Sequence, residues 1–331
     1  MKKGERNLIT DVAGVSVGNA HDENIASGVT VALFDGEATA SVAITGGGPA
    51  GRDQECLALE STVETVHALA LSGGSGYGLD AATGVQAFLR ARGRGLRFGP
   101  ALIPIAPQAI CFDLLNGGDK DWGRYPPYRE LGHAACEAAG ATFALGSAGG
   151  GYGATTADLK GGLGSASVVS SGGLTLGALV VVNAIGSAVA GGGPHFWASP
   201  WEIDGEFGGR GLPDNPSQAL AWKGRTPATT IAIVATDARL TKAQCKRLAI
   251  AASGGLSKGL RFAHATFDGD TVFAAATGRR AMSAPDQDMI ELCALGADCL
   301  ARAIARGVHE ATALPFPGAL PAWRDRFGRT D

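Results

Sequence analysis

The sequence contains no CxxC pair. Its six cysteines, Cys56, Cys111, Cys136, Cys245, Cys293 and Cys299, are scattered, which argues against a disulfide framework or a zinc site. No two histidines stand at ligand spacing, so neither a metal nor a cofactor is expected. Net charge is -3, with no long basic stretch and no acidic tail, which excludes a nucleic-acid surface. No run approaches the length of a membrane helix, since the most apolar one, Leu174 to Ala184, is too short. Met1 to Asp11 is polar and lacks the apolar core of a signal peptide. These absences lead to the expectation of a reduced, cytoplasmic setting without nucleic-acid or membrane partners.

Glycine, by contrast, is abundant. Hydrophobic content is 45% and charge 18%, which marks a globular chain, yet there are 51 glycines without a collagen-like period. They cluster at Gly46 to Gly48, Gly73-Gly74, Gly149 to Gly151, Gly161-Gly162, Gly172-Gly173 and Gly191 to Gly193. Clustered glycine between apolar runs signals tight turns and close backbone approach.

Read along the chain, Val29 to Phe34 and Ala40 to Thr45 have strand character, separated by a turn at Asp35-Gly36-Glu37. The polar segment Asn19 to Asn24 reads as another turn. Glu60 to Leu71 carries Val63, Val66 and Leu69 at helical spacing and stops at Ser72-Gly73-Gly74, which predicts a helix. Gly73 to Asp80 leads into a second predicted helix, Ala81 to Arg92. That loop is not GxxxxGK[ST] and lacks GxGxxG spacing, so nucleotide binding fails on context, and helix packing or a pocket wall is the expected role. Arg129 to Ala139, Leu240 to Leu260 and Pro285 to Arg306 also read as helices. Thr241 and Gln244 form a capping box for the second of these. Ser165 to Ser171 and Leu174 to Asn183 flank Gly172-Gly173 as a hairpin. Gly146 to Gly164 is a long glycine-dense loop holding Lys160, and loops of that length inside a domain are more often functional than idle. Hairpins argue against a βαβ nucleotide-binding sheet. The expectation is α+β, a four-layer αββα sandwich of two mostly antiparallel sheets covered by helices, in a single domain over residues 1–331.

Ile231 to Ala235 is a short β-branched apolar run suited to a buried strand, and Ala228-Thr229-Thr230 stands at its mouth, after Pro227. By pattern alone a threonine opening a strand is β-propensity. Asp268-Gly269-Asp270 could be an exposed turn, Asn183 a turn initiator, and Lys160 a solvated loop lysine.

Taken as an ordered set, several motifs carry more. They are Asp11 to Gly18, Gly73 to Ala82, Lys160 to Ser167, Val182-Asn183-Ala184, Thr229 to Asp237 and Phe267 to Asp270. From about Asn7 to Ala311 the chain resembles the N-terminal-nucleophile hydrolases. That family includes L-aminopeptidase/D-amidase-esterases, β-aminopeptidases and endo-acting nylon-oligomer (6-aminohexanoate) hydrolases. The resemblance implies self-cleavage between Ala228 and Thr229, giving fragments 1–228 and 229–331, with Thr229 as nucleophile. Threonine at that place, with Asp268 and Asp270 at a similar distance beyond it, leans toward the nylon-oligomer branch. Asn183 and Lys160 match further family site positions. The family usually shows Asn or Gly where this chain has Ala228. Ornithine acetyltransferases, similar in fold, cut an Ala-Thr bond followed by Thr-Asp-Ala, as at Thr236-Asp237-Ala238, which keeps an acyltransferase open. If Ala228 blocked maturation, a binding scaffold would remain.

The chemistry explains the residue types. A threonine hydroxyl is a poor nucleophile without a base beside it. A free α-amine, with an ordinary pKa of roughly 7.7–8.0, supplies that base, but only after the amide is cut. Asp268 and Asp270 are expected to orient the Thr229 amine and hydroxyl. Asn183 is expected to donate to the oxyanion, and Lys160 to stabilise the same charge or tune the amine. The expected substrate is a small or oligomeric amide: 6-aminohexanoate oligomers or small peptides, with aminopeptidase, β-aminopeptidase and D-amidase-esterase activity as alternatives. The resemblance also implies a homo-oligomer of cut protomers.

Overall fold

One long strand, β2 (Ser27–Ile44), ties the molecule together. A computed structural model describes residues 2–217 and 219–328 of the chain. The first half of β2 pairs with β1 (Val15–Asp22) on one edge and with β4 (Thr65–Ser72) on the other. Its second half pairs with β11 (Thr271–Arg280). Beyond β4 lie β7 (Gln108–Ile110) and β3 (Gly51–Arg52); beyond β11 lie β10 (Thr229–Ala238), β9 (Thr175–Asn183) and β8 (Gly162–Val169). All these pairs are antiparallel except β10–β11 and β4–β7. A separate hairpin joins β5 (Leu96–Phe98) to β6 (Ala101–Ile103).

The buried side chains sort into layers. Val17, Phe34, Leu69 and Leu71 from the β1–β2–β4 half meet Leu179, Val181, Ile231, Ile233 and Phe273 from the β8–β11 half in one core between the sheets. The alternate residues face outward. Val29, Val31 and Ala70 pack on α2 (Ala81–Ala91) and α3 (Tyr128–Glu137). Val180, Val182, Ala232 and Val234 pack on α4 (Lys242–Gly259) and α5 (Pro285–His309). The result is the expected four-layer αββα sandwich. Its strands are buried on both faces, so they read as continuous apolar runs instead of alternating ones. Two short helices, α1 (Ser75–Gly78) and α6 (Trp323–Phe327), complete the described chain.

Three local expectations are corrected. Asp35 to Glu37 does not turn the chain: it is an exposed irregularity inside β2, where the β4 register shifts between Leu33 and Ala38. Such an irregularity bends a strand, and β2 passes from one sheet to the other there. The polar Asn19 to Asp22 continues β1 as an edge strand. The predicted helix over Glu60 to Leu71 is instead β4, with His67 on it. Ala68 faces the helices while Leu69 faces the inter-sheet core, so burial on both sides imitated a helical period. The capping box of α4 forms as expected, with Thr241 accepting from the Gln244 N–H.

Candidate active site

The site is assembled where β10 and β11 start side by side. They run parallel with Ile231 opposite Thr271, and three residues earlier on both strands Ala228 bridges Asp268. Thr229 therefore lies level with Gly269, and the two aspartates flank it. On its other edge Thr229 is the direct partner of Asn183, the last residue of β9. Strand alternation puts Thr229 on the face of Ile231 and Ile233, and Asn183 on the face of Leu179 and Val181. Both side chains thus point into the end of the gap between the sheets.

The Ala228–Thr229 peptide is held on several sides. The Thr229 hydroxyl donates to the Ala228 carbonyl oxygen at 2.5 Å. The same oxygen accepts the Gly269 N–H at 2.9 Å, and the Ala228 N–H donates to the Phe267 carbonyl. Thr229 is 4% exposed. Only glycine fits at residue 269, because a Cβ there would come within 2.6 Å of Thr229 Oγ1. The glycine cluster that follows β2 closes over this turn: the Gly48 N–H donates to the Asp268 carbonyl, and those of Thr45 and Gly46 to the Asp270 carbonyl.

The two aspartates differ. Asp270 has partners on both oxygens: Oδ1 accepts the Thr230 N–H, and Oδ2 takes the His264 N–H and lies 3.0 Å from His264 Nδ1. Thr45 Oγ1 meets that same ring nitrogen. Asp270 is thus a clamp on the backbone beside the nucleophile, not on Thr229 itself. Asp268 keeps a buried Oδ1 without a partner. Burial first, then the Asp270 charge and the hydrogen bond between them, push its carboxyl well above the usual range.

Asn183 reaches across the sandwich. Its Nδ2 donates to the Phe112 carbonyl at 2.7 Å, on the loop after β7. Its Oδ1 accepts from the Thr155 N–H, Asn116 Nδ2 and Lys223 Nζ. A carboxamide has two N–H groups, so one remains beyond the Phe112 bond. Asn116 and Thr155 also line a cavity of about 310 Å³, walled on the far side by Phe316 to Leu320. Lys160 is buried behind the site. Its ammonium donates to the carbonyls of Gly151, Ala154 and Gly161, which fastens the glycine loop carrying Thr155. Burial pulls that ammonium down to about 7.

Four of the five residues expected from the sequence, Thr229, Asn183, Asp268 and Asp270, converge at this point, and Lys160 stands one layer back. His264, Asn116 and Lys223 were not expected, and Thr155 was marked only by lying in the long Gly146 to Gly164 loop. They lie in irregular segments where no periodicity marks a residue, and only tertiary contact finds them. Asp237 sits at the opposite end of β10, where Oδ1 accepts the Thr175 N–H. The Gly73–Asp80 loop is used in packing, with the Gly74 N–H on Asp113.

A helix-covered double sheet of this topology has the N-terminal-nucleophile hydrolase fold. The structure matches the L-aminopeptidase D-Ala-esterase/amidase of Ochrobactrum anthropi, described as a new variant of that fold. The TM-score is 0.72, at 20% identity, over 99% of this chain and 96% of that one. The sequence model of peptidase family S58 matches residues 7–319, and the chain belongs to that family. It is 40% identical over 348 aligned residues to an uncharacterized aminopeptidase of Mycobacterium tuberculosis strain H37Rv, covering 97% of this chain and 98% of that one. It is 29% identical over 286 residues to the 6-aminohexanoate-oligomer endohydrolase of Paenarthrobacter ureafaciens, covering 83% of this chain and 76% of that one. The protein is a peptidase or amidohydrolase.

Proposed function

We propose that the chain cuts itself between Ala228 and Thr229, and that the freed Thr229 hydrolyses linear amides such as 6-aminohexanoate oligomers or small peptides. The observation that carries this reading is the Thr229 hydroxyl held against the Ala228 carbonyl, whose oxygen also takes the Gly269 N–H. In the maturation step Thr229 Oγ1 bonds to the Ala228 carbonyl carbon and loses its proton. The C–N bond breaks, and the departing nitrogen takes up a proton as the α-amine. Water then hydrolyses the ester, leaving an Ala228 carboxylate and a free threonine.

In turnover the new α-amine takes the hydroxyl proton as Oγ1 attacks the substrate carbonyl, then gives it to the leaving amine. The unpartnered Asp268 Oδ1 is placed to receive the new ammonium once the peptide is cut. The free N–H of Asn183 serves the oxyanion, where losing such a donor costs roughly 2.7–4 kcal/mol. Lys160 supports this arrangement by holding the turn that carries Thr155.

Mass spectrometry of the purified protein tests the proposal. Two fragments are expected, the smaller beginning at Thr229, and Thr229→Ala should stay whole and inactive. Amide hydrolysis by the intact Thr229→Ala chain would overturn the assignment. Release of free amine from 6-aminohexanoate oligomers or aminoacyl anilides, compared with acetyl transfer from acetylornithine to glutamate, separates hydrolase from acyltransferase.

A further inference from the structure

Lys223 lies shortly before the 228–229 bond, in an irregular and partly exposed segment. Its backbone is anchored, because its N–H donates to the Ile185 carbonyl at 3.0 Å. Its side chain turns inward. The ammonium donates to the Thr155 carbonyl at 2.8 Å and to Asn183 Oδ1 at 3.1 Å, with the Asn183 carbonyl at 3.5 Å. Lys160 differs in its partners: its three bonds all go to backbone carbonyls, of Gly151, Ala154 and Gly161, and none to Asn183.

We propose that Lys223, and not Lys160, is the cation that sets the site, as a positioning residue acting through the Asn183 carboxamide. This rests on the reading of Thr229 as nucleophile. A charged donor on Oδ1 joins the Thr155 N–H and Asn116 there, which leaves the Nδ2 edge of Asn183 for the oxyanion. It also draws electron density toward Oδ1, making the remaining N–H a stronger donor. Self-cleavage does not remove Lys223, since it stays on the 1–228 fragment and its anchor at Ile185 lies on the same fragment.

The charged and titratable groups facing Lys223 are Cys111, Asp268 and Asp113, together with Lys160. Burial outweighs the acidic neighbours and pulls the Lys223 ammonium down to about 7. Its proton is therefore present on the acid side of neutrality and lost as pH rises through that value. Asn183 should respond in step.

The test uses nitrogen-15 NMR of the uncuttable Thr229→Ala chain, following the Asn183 side-chain amide across neutral pH. Its signals are expected to move with a midpoint of about 7. The movement should disappear when Lys223→Met is added and persist when Lys160→Met is added. In the self-cutting chain, Lys223→Met should lower kcat by roughly tenfold or more with KM nearly unchanged. Lys223→Arg should recover part of the loss, and the melting temperature should stay close to that of the parent. An Asn183 titration that survives Lys223→Met, or an unchanged kcat, overturns the proposal. A parent chain that never cuts would sink the Thr229 reading instead, while the NMR titration still decides the role of Lys223.

Discussion

The Gly269 N–H points at the Ala228 carbonyl oxygen from 2.9 Å, and nothing larger than glycine fits there beside Thr229. The relationship follows from the parallel start of β10 and β11, which brings two chain segments level at the bond to be cut. An N–H so placed can stabilise the oxyanion that forms when Oγ1 attacks.

Gly269→Ala is therefore expected to block maturation. The added Cβ would meet Thr229 Oγ1 at 2.6 Å and Cγ2 at 3.0 Å. A β-branched residue in a buried strand has little room to turn away. Overpacking of this kind costs about 1–3 kcal/mol, which corresponds to a self-cutting rate lower by roughly one to two orders of magnitude. Timed denaturing gels of freshly refolded protein measure this. Normal cutting kinetics would show that the close approach is not required.

Asp268→Asn should make the uncut chain more stable while abolishing activity. Asp268 has a folded value raised above its unfolded one by burial and by Asp270. Its folded form therefore holds a proton that the unfolded form releases as pH rises past the ordinary carboxylate value. Stability is full below that value and is lost above it. Removing the carboxylate should raise the melting temperature of the Thr229→Ala background by roughly 2–4 °C near neutral pH. The gain should shrink toward acid pH, and calorimetry at the two pH values decides. A lower melting temperature at neutral pH would contradict the account.

The buried pair Arg302–Glu206 is the corresponding structural prediction. Arg302 Nε and Glu206 Oε1 are 2.5 Å apart, with Asn7 bonded to both side chains. Breaking one half of such a pair costs about 3–5 kcal/mol, so Arg302→Met should unfold at markedly lower urea. Burial alone would raise Glu206, but the Arg302 bonds and charge, with Asn7 and Arg306, hold it below its ordinary value. Its contribution is then present above the unfolded carboxylate value and lost as pH falls through the lower folded one. The stability gap between parent and variant should accordingly narrow in acid. Urea titrations at neutral and acid pH check this, and a constant gap would exclude the ion pair as its cause.

Much of the architecture was legible because it depends on local chemistry. The apolar run Ile231 to Ala235 specified a buried strand, Thr241 and Gln244 the start of α4, and Gly172-Gly173 the β8–β9 hairpin. Thr229, Asn183, Asp268 and Asp270 could be named only through the family resemblance that the ordered motifs carry, since a place at a strand end marks by itself nothing beyond β-propensity or a turn. What resisted was anything whose burial comes from two sides. β4 looked helical because both of its faces are covered, and the break at Asp35 to Glu37 looked like a turn because a bend inside a strand uses the same residues.

By itself, the order of amino acids determined which segments are strands and helices wherever one side chain pattern dominated, and which hydroxyl stands at a strand mouth. Tertiary structure alone decided that Gly269 faces Ala228, that Asp270 clamps Thr230 while Asp268 keeps a free oxygen, and that Lys223 reaches Asn183 while Lys160 does not. Those facts depend on the parallel register of β10 with β11 and on loops meeting across the gap between two sheets. Contacts between segments distant in the chain leave no periodic trace along it, so only folding brings them into view.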